Sequence, residues 1–239
     1  MKSRSTDKAP TRAETAAASG KKRVLVVDDH PFMRSGLAQL IDKQPDLQVC
    51  GEAGDPAEAQ KEVVRTKPDL VLTDMTMPGR SGLEFIKDLI AADANLAILV
   101  ISMHDEVIYA ERALRAGARG YMMKEAGGEN LLTAIRQILR GDIYVSPRMS
   151  ARILENVSGR KPRGSDSPIE KLSDREFEIF RLIGQGKNTR DIAEQLHLSP
   201  KTVDVHRSHI REKLQLTDVT ALVRHAVRWV ETQNLAGGN

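Results

Sequence analysis

Five short apolar runs, each followed by a stretch with helical spacing, leave this chain few folds to choose from. The runs are Val24–Val27, Leu47–Ala53, Leu70–Thr73, Ala97–Ile101 and Gly120–Met123. Between and after them lie Met33–Lys43, Pro56–Thr66, Gly82–Ala92, Val107–Ala116 and Gly127–Arg140, which read as helices. Strands alternating with helices imply an α/β unit, a (βα)₅ doubly wound parallel sheet with helices on both faces. In such sheets the functional crevice lies outside the carboxyl ends of the strands. Asp28, Asp29, Asp74, Ser102 and Lys124 all fall at those ends.

From Tyr144 the character changes. Pro147–Val157 reads as one helix, and Ser158 to Pro168, rich in Gly, Ser, Pro, Lys and Arg, reads as a linker. Beyond Leu172 no strand signal remains. Helical stretches run over Ser173–Gly184, Thr189–Leu196, Pro200–Leu214 and Asp218–Thr232. Ser173 with Glu176 fits a capping box, and Ser199-Pro200 fits an N-cap followed by Pro at the first helical position. The expected layout is therefore a basic disordered tail over 1–22, an α/β domain over 23–141, a linker over 142–169, an all-α four-helix domain over 170–232 and a flexible tail over 233–239.

Composition narrows the setting. The 239 residues suffice for two ordinary domains, and no apolar run approaches a bilayer span. The first 22 residues lack the apolar stretch of a secretory signal, and the single Cys50 excludes an internal disulfide. A cytoplasmic protein with no membrane partner is expected. Residues 1–23 carry seven basic against two acidic side chains, residues 24–159 fifteen against twenty, and residues 160–239 fourteen against eleven. An acidic middle and a mildly basic end suggest different partners for the two domains, the second a polyanion.

Converging carboxylates can hold a hard divalent cation such as Mg²⁺, which also binds phosphate oxygens. The cation offsets charge so that one carboxylate can attack phosphorus. Lys124 would pair with the phosphoryl group and Ser102 would donate a hydrogen bond to it. Asp74, between an apolar run and Pro78-Gly79, is the candidate nucleophile. Taken singly, Asp28-Asp29 is a helix cap, Lys124 a solvated lysine and Tyr121 a half-buried ring; their joint placement favours the site.

Val26-Val27-Asp28-Asp29-His30, Thr73-Asp74-Met75-Thr76-Met77-Pro78-Gly79, Ile101-Ser102-Met103-His104 and Gly120-Tyr121-Met122-Met123-Lys124 resemble the receiver domain of two-component response regulators, a flavodoxin-like fold. The resemblance covers Lys22 to about Arg140. It implies that Asp74 is the phosphoacceptor and that Asp28, Asp29, Asp74 and the Thr76 carbonyl form the Mg²⁺ site. Ser102 and Tyr121 would then be the switch pair and Lys124 the phosphate-sensing lysine. The donor would be a sensor histidine kinase or a phosphotransfer protein. Such a protein is no enzyme beyond accepting phosphate on its own aspartate and slowly losing it.

Thr189 to Leu196, a short turn, and Lys201 to Leu214 describe a helix-turn-helix. With Val203 at zero on a helical wheel, Arg207, Ile210 and Leu214 fall within about 40°, the core face. Lys201, Val205, Ser208 and Glu212 lie opposite, flanked by Asp204 and His209, on the face a major groove would meet. Leu172-Ser173-Asp174-Arg175-Glu176 and Leu198-Ser199-Pro200-Lys201-Thr202-Val203-Asp204-Val205-His206-Arg207 resemble the LuxR-type (NarL/FixJ-like) DNA-binding domain. The resemblance implies that Asp204, Val205 and Ser208 approach base edges of double-stranded DNA. Thr202, Arg207 and Arg211, with Lys187, Asn188 and Thr189, would meet phosphates. Relatives often carry Lys where this chain has Asp204.

Val219, Leu222 and Val223 are the candidate dimer face, for a homodimer formed on phosphorylation. In relatives the unphosphorylated receiver covers the recognition helix. Two other protein classes bear comparison with these residues. A haloacid-dehalogenase-type phosphotransferase needs a second Asp two residues after its nucleophile, and Asp28-Asp29-His30-Pro31 lacks that pattern. A pseudo-receiver acting through protein partners without phosphate would not need Asp28, Asp29, Asp74, Ser102 and Lys124 together.

Overall fold

The computed structural model describes residues 20–77, 81–158 and 168–236. The basic tail before Gly20, the Pro78-Gly79 turn and most of the 158–168 linker lie outside the described residues.

Five parallel strands, β1 (Lys22–Val27), β2 (Leu47–Ala53), β3 (Leu70–Asp74), β4 (Ala97–Ser102) and β5 (Gly120–Met123), form one sheet in the order β2-β1-β3-β4-β5. The order reverses at β1, which pairs with β2 on one side and β3 on the other. That reversal opens a crevice at the carboxyl ends of β1 and β3. Helices α1 (Pro31–Asp42), α2 (Pro56–Thr66), α3 (Gly82–Ala92), α4 (Glu106–Ala116) and α5 (Gly128–Leu139) follow the strands in turn. Val24, Leu25, Leu70, Val71 and Leu72 are fully buried, because both faces of the sheet are covered. Gly82 opens α3 where a Cβ would come within 2.2 Å of the Met75 carbonyl, so only glycine lets this helix start against the loop after β3.

Within the expected linker over 142–169, with its possible helix over Pro147–Val157, the first part joins the α/β domain. Tyr144 pairs with β5, its amide donating to the Arg119 carbonyl and its own carbonyl accepting from Tyr121 N–H. Helix α6 (Pro147–Val157) packs on α4, with Met149 buried. The segment thus extends the α/β domain, since Tyr144 supplies hydrogen-bonding groups that edge strand β5 would otherwise leave open.

The second domain comprises α7 (Asp174–Gly184), α8 (Thr189–Gln195), α9 (Pro200–Lys213) and α10 (Val219–Ala236). Ser173 and Glu176 form the capping box at α7, Asn188 and Asp191 a second one at α8, and Ser199 caps α9. Val203, Ile210 and Leu222 are buried in its core. Leu222 therefore does not belong to an exposed dimer face: one turn into α10 it points at the core, while Val219 and Val223 stay open. Helix α10 also runs on to Ala236, past the expected end at Thr232, since neither Gly nor Pro interrupts Val219–Ala236.

The two domains share an interface between α7 and the α3–α4 face. Arg112, buried on α4, donates to the carbonyls of Ile169 (3.2 Å) and Leu172 (2.9 Å) and pairs with Asp174 at 3.2 Å. Its guanidinium lies 4.5 Å from the Phe177 ring centroid. Lys87 reaches Asp174 at 3.0 Å and Arg175 reaches Glu84 at 2.9 Å.

Candidate functional site

Asp28, Asp29, Asp74 and Lys124 meet at the crevice, as their strand-end positions predict. Asp28 is fully buried and Asp74 nearly so. The Lys124 ammonium bridges them, 2.8 Å from Asp28 Oδ2 and 2.7 Å from Asp74 Oδ2. Asp28 also accepts from the His30 amide at 2.8 Å, and Asp74 Oδ1 accepts from the Thr76 amide at 3.1 Å. Burial pushes the Asp74 carboxyl above its ordinary range, while Lys124 draws it back. Burial alone would lower the Lys124 ammonium, but its bonds to Asp28 and Asp74 win and hold it above the usual lysine value.

Asp29 sits at the mouth. Its Oδ1 lies 2.8 Å from His30 Nδ1 but is buried and aligned with no hydrogen-bond donor. Asp28, Asp29, His30 and Asp74 each place a ligand atom within 4.8 Å of the others. An orphaned carboxylate oxygen beside two buried carboxylates suits a hard cation that takes oxygen ligands and keeps its waters. His30 was not singled out from sequence; its imidazole joins the cluster through its position at the mouth.

Ser102 and Tyr121, the expected switch pair, both bond the backbone of His104, a residue no spacing signal marks. Ser102, fully buried, accepts from the His104 amide at 3.1 Å, and Tyr121 Oη donates to the His104 carbonyl at 2.7 Å. The Tyr121 ring already lies inside the fold. His104 Nε2 is 2.7 Å from Thr76 Oγ1, and its ring stacks on Tyr109 at 4.8 Å. Burial, helped by the charges of Arg181 and Lys124, lowers its pKa to about 4, so the ring is neutral. Tyr109, buried as well, stands edge-on to Phe177 of α7 at 5.2 Å, and its hydroxyl is pushed up to about 12 by burial.

In the helical domain α8, the turn through His197 (φ 52°) and α9 form the expected helix-turn-helix. Lys201, Asp204, Val205, Ser208, His209 and Glu212 are exposed along one face of α9. Among the described residues the α/β domain docks on α7 and leaves that face of α9 exposed, an arrangement the sequence leaves open. Arg207 donates to Thr189 Oγ1 at 2.6 Å, which joins α9 to the start of α8 beside Lys187 and Asn188. Thr202 donates its amide to Ser199, and Arg211 reaches Ser208 at 3.3 Å. Glu176 ties α7 to α9 through Lys213 at 2.6 Å.

Two family models match the chain: the response regulator receiver domain over residues 24–136, and the luxR family of bacterial regulatory proteins over 170–226. The oxygen regulatory protein NreC of Staphylococcus carnosus is 35% identical over 210 residues, covering 86% of this chain and 97% of NreC. Response regulator GacA of Pseudomonas aeruginosa is 37% identical over 206 residues, covering 86% and 95%. Among solved structures, RcsB of Salmonella enterica serovar Typhimurium, bound to promoter rprA, superposes with a TM-score of 0.69 at 23% identity, over 87% of this chain and 98% of RcsB. A LuxR-family response regulator from Aurantimonas is 36% identical over 58% of this chain and 99% of its own, with a TM-score of 0.54. With both modules matched in order and a relative aligned along nearly its whole length, the chain belongs to the response regulators that join a receiver to a LuxR-type DNA-binding domain.

Proposed function

We propose that Asp74 is the phosphoacceptor and that its phosphorylation, by a sensor histidine kinase or a phosphotransfer protein, governs how α9 engages double-stranded DNA. The observation that carries this reading is the Lys124 ammonium spanning Asp28 and Asp74. An Asp74 oxygen attacks the phosphorus, a new O–P bond forms, and the donor's nitrogen leaves with its electron pair. Mg²⁺, held by Asp28, Asp29, Asp74 and the Thr76 carbonyl, would offset the charge of carboxylates and phosphoryl group. Lys124 then exchanges its bond to Asp74 for one to the phosphoryl oxygens. Ser102 turns its hydroxyl toward the same group, giving up the His104 amide.

On the DNA side, Lys201, Asp204, Val205 and Ser208 are the exposed side chains placed to meet base edges, and Asp204 can accept from cytosine N4. Lys187, Asn188, Thr189, Thr202, Arg207 and Arg211 lie where phosphates would run. Val219 and Val223, four residues apart and both exposed, support a dimer face on α10, giving two-fold half-sites. A receiver over 23–141, continued by α6, and a DNA-binding domain over 170–232 acting in the cytoplasm complete the reading; no described helix is long and apolar enough to cross a membrane.

Intact mass after incubation with acetyl phosphate and Mg²⁺ tests it. One phosphoryl adduct is expected, absent in Asp74→Asn. An adduct that survives the substitution would move the acceptor elsewhere, and none in either protein would leave a phosphate-independent pseudo-receiver.

A further inference from the structure

One residue touches every part of the switch. His104 gives its amide to Ser102 Oγ (3.1 Å), takes the Tyr121 hydroxyl on its carbonyl (2.7 Å), meets Thr76 Oγ1 through Nε2 (2.7 Å) and lays its ring on Tyr109 (4.8 Å). Thr76 in turn donates its amide to Asp74. Tyr109 carries the path onward to Phe177 at 5.2 Å, and Phe177 to Trp229 at 5.5 Å. A cleft lined by Met75, Thr76, Tyr109, Phe177, Glu178 and Arg181 marks where the two domains meet beside the acceptor loop.

Resting on Asp74 as phosphoacceptor, we propose that His104 is the positioning residue that couples the acceptor loop to the docked output helix α7. A phosphoryl group on Asp74 claims the Ser102 hydroxyl and reorders the bonds around Thr76. His104 then loses its two fixed points on the acceptor side. Its ring shifts against Tyr109, and Tyr109 against Phe177, which loosens α7 from the α3–α4 face. The imidazole suits this work because it is neutral, polar at Nε2 and flat enough to stack. Coupling along this path is read as how strongly one end responds to the other.

The test uses the full chain with beryllofluoride and Mg²⁺ as the phosphoryl probe, and reads amide hydrogen exchange over Phe177–Arg181. In the wild type the probe should speed exchange there by about tenfold, a typical coupling strength. His104→Phe, which keeps a flat ring against Tyr109 but removes Nε2 and its bond to Thr76, and His104→Ala should each reduce that ratio to about twofold or less. Tyr109→Phe keeps the ring and discards only a hydroxyl without a hydrogen-bond partner, so it should behave as wild type. All four proteins should take a phosphoryl adduct from acetyl phosphate. A wild-type ratio in both His104→Phe and His104→Ala, with adducts formed, overturns the proposal. Should His104→Ala fail to fold, His104→Phe decides alone. Loss of the adduct from the wild type would instead overturn the phosphoacceptor reading.

Discussion

At the scale of single residues, the crevice is a balance of buried charge. Lys124 holds two carboxylates that have almost no solvent of their own, so its removal should cost much more than a surface ion pair. Lys124→Ala is expected to destabilise the receiver by about 3–5 kcal/mol in chelator, read by urea unfolding. Millimolar Mg²⁺ should restore part of that loss by binding only the folded carboxylates. His104 gives a second signature. Its imidazole has a pKa of about 4 in the fold, below the ordinary 6.5, so the unfolded chain binds the proton first as pH falls. The stabilisation is complete above about pH 6.5 and drains away toward pH 4, by up to about 3 kcal/mol before allowance for solvent screening. Unfolding of the wild type against His104→Gln from pH 4 to 7 should show that difference. Asp28, Asp74 and Lys124 were legible in the sequence because each closes an apolar run, and the sheet does the rest. His104 was not, because its partners come from β4, β5, the loop after β3 and helix α4, and none is at a periodic spacing.

At the scale of elements, caps and breakers carried most of the information. The strand limits and the starts of α7, α8 and α9 lie within a residue or two of their sequence signals, since Ser173, Asn188 and Ser199 each satisfy helix amides locally. What local signals could not supply was facing. Leu222 and Val223 are neighbours in sequence, and only the packing of α10 against α7 decides which of them is core. Gly184 shows how close that packing is: a Cβ there would sit 2.4 Å from the Ala226 carbonyl. Gly184→Ala should therefore lose about 1–3 kcal/mol in urea, despite alanine's better helix propensity. An unchanged midpoint would mean that α10 can slide away at little cost.

At the scale of the whole molecule, one core runs through both domains, from Tyr109 to Phe177 and Phe180. The linker composition pointed to independent modules, and no motif announced Arg112, whose output-domain partners lie 57 to 62 residues away. Removing that guanidinium takes this donor from the Ile169 and Leu172 carbonyls and leaves Asp174 paired across the interface with Lys87. Scanning calorimetry should show a single unfolding transition for the unphosphorylated wild type and two separated ones for Arg112→Ala. A single transition in the variant would mean that the apolar contacts suffice to hold the domains together. The free groove face of α9 in this docked arrangement bears on how such a regulator would live on a chromosome. On the function proposed above, the resting molecule already has its DNA-reading edge in solution and can sample sites by brief encounters. The kinase signal would then set dwell time and pairing at a promoter, through dissociation, with arrival itself left ungated.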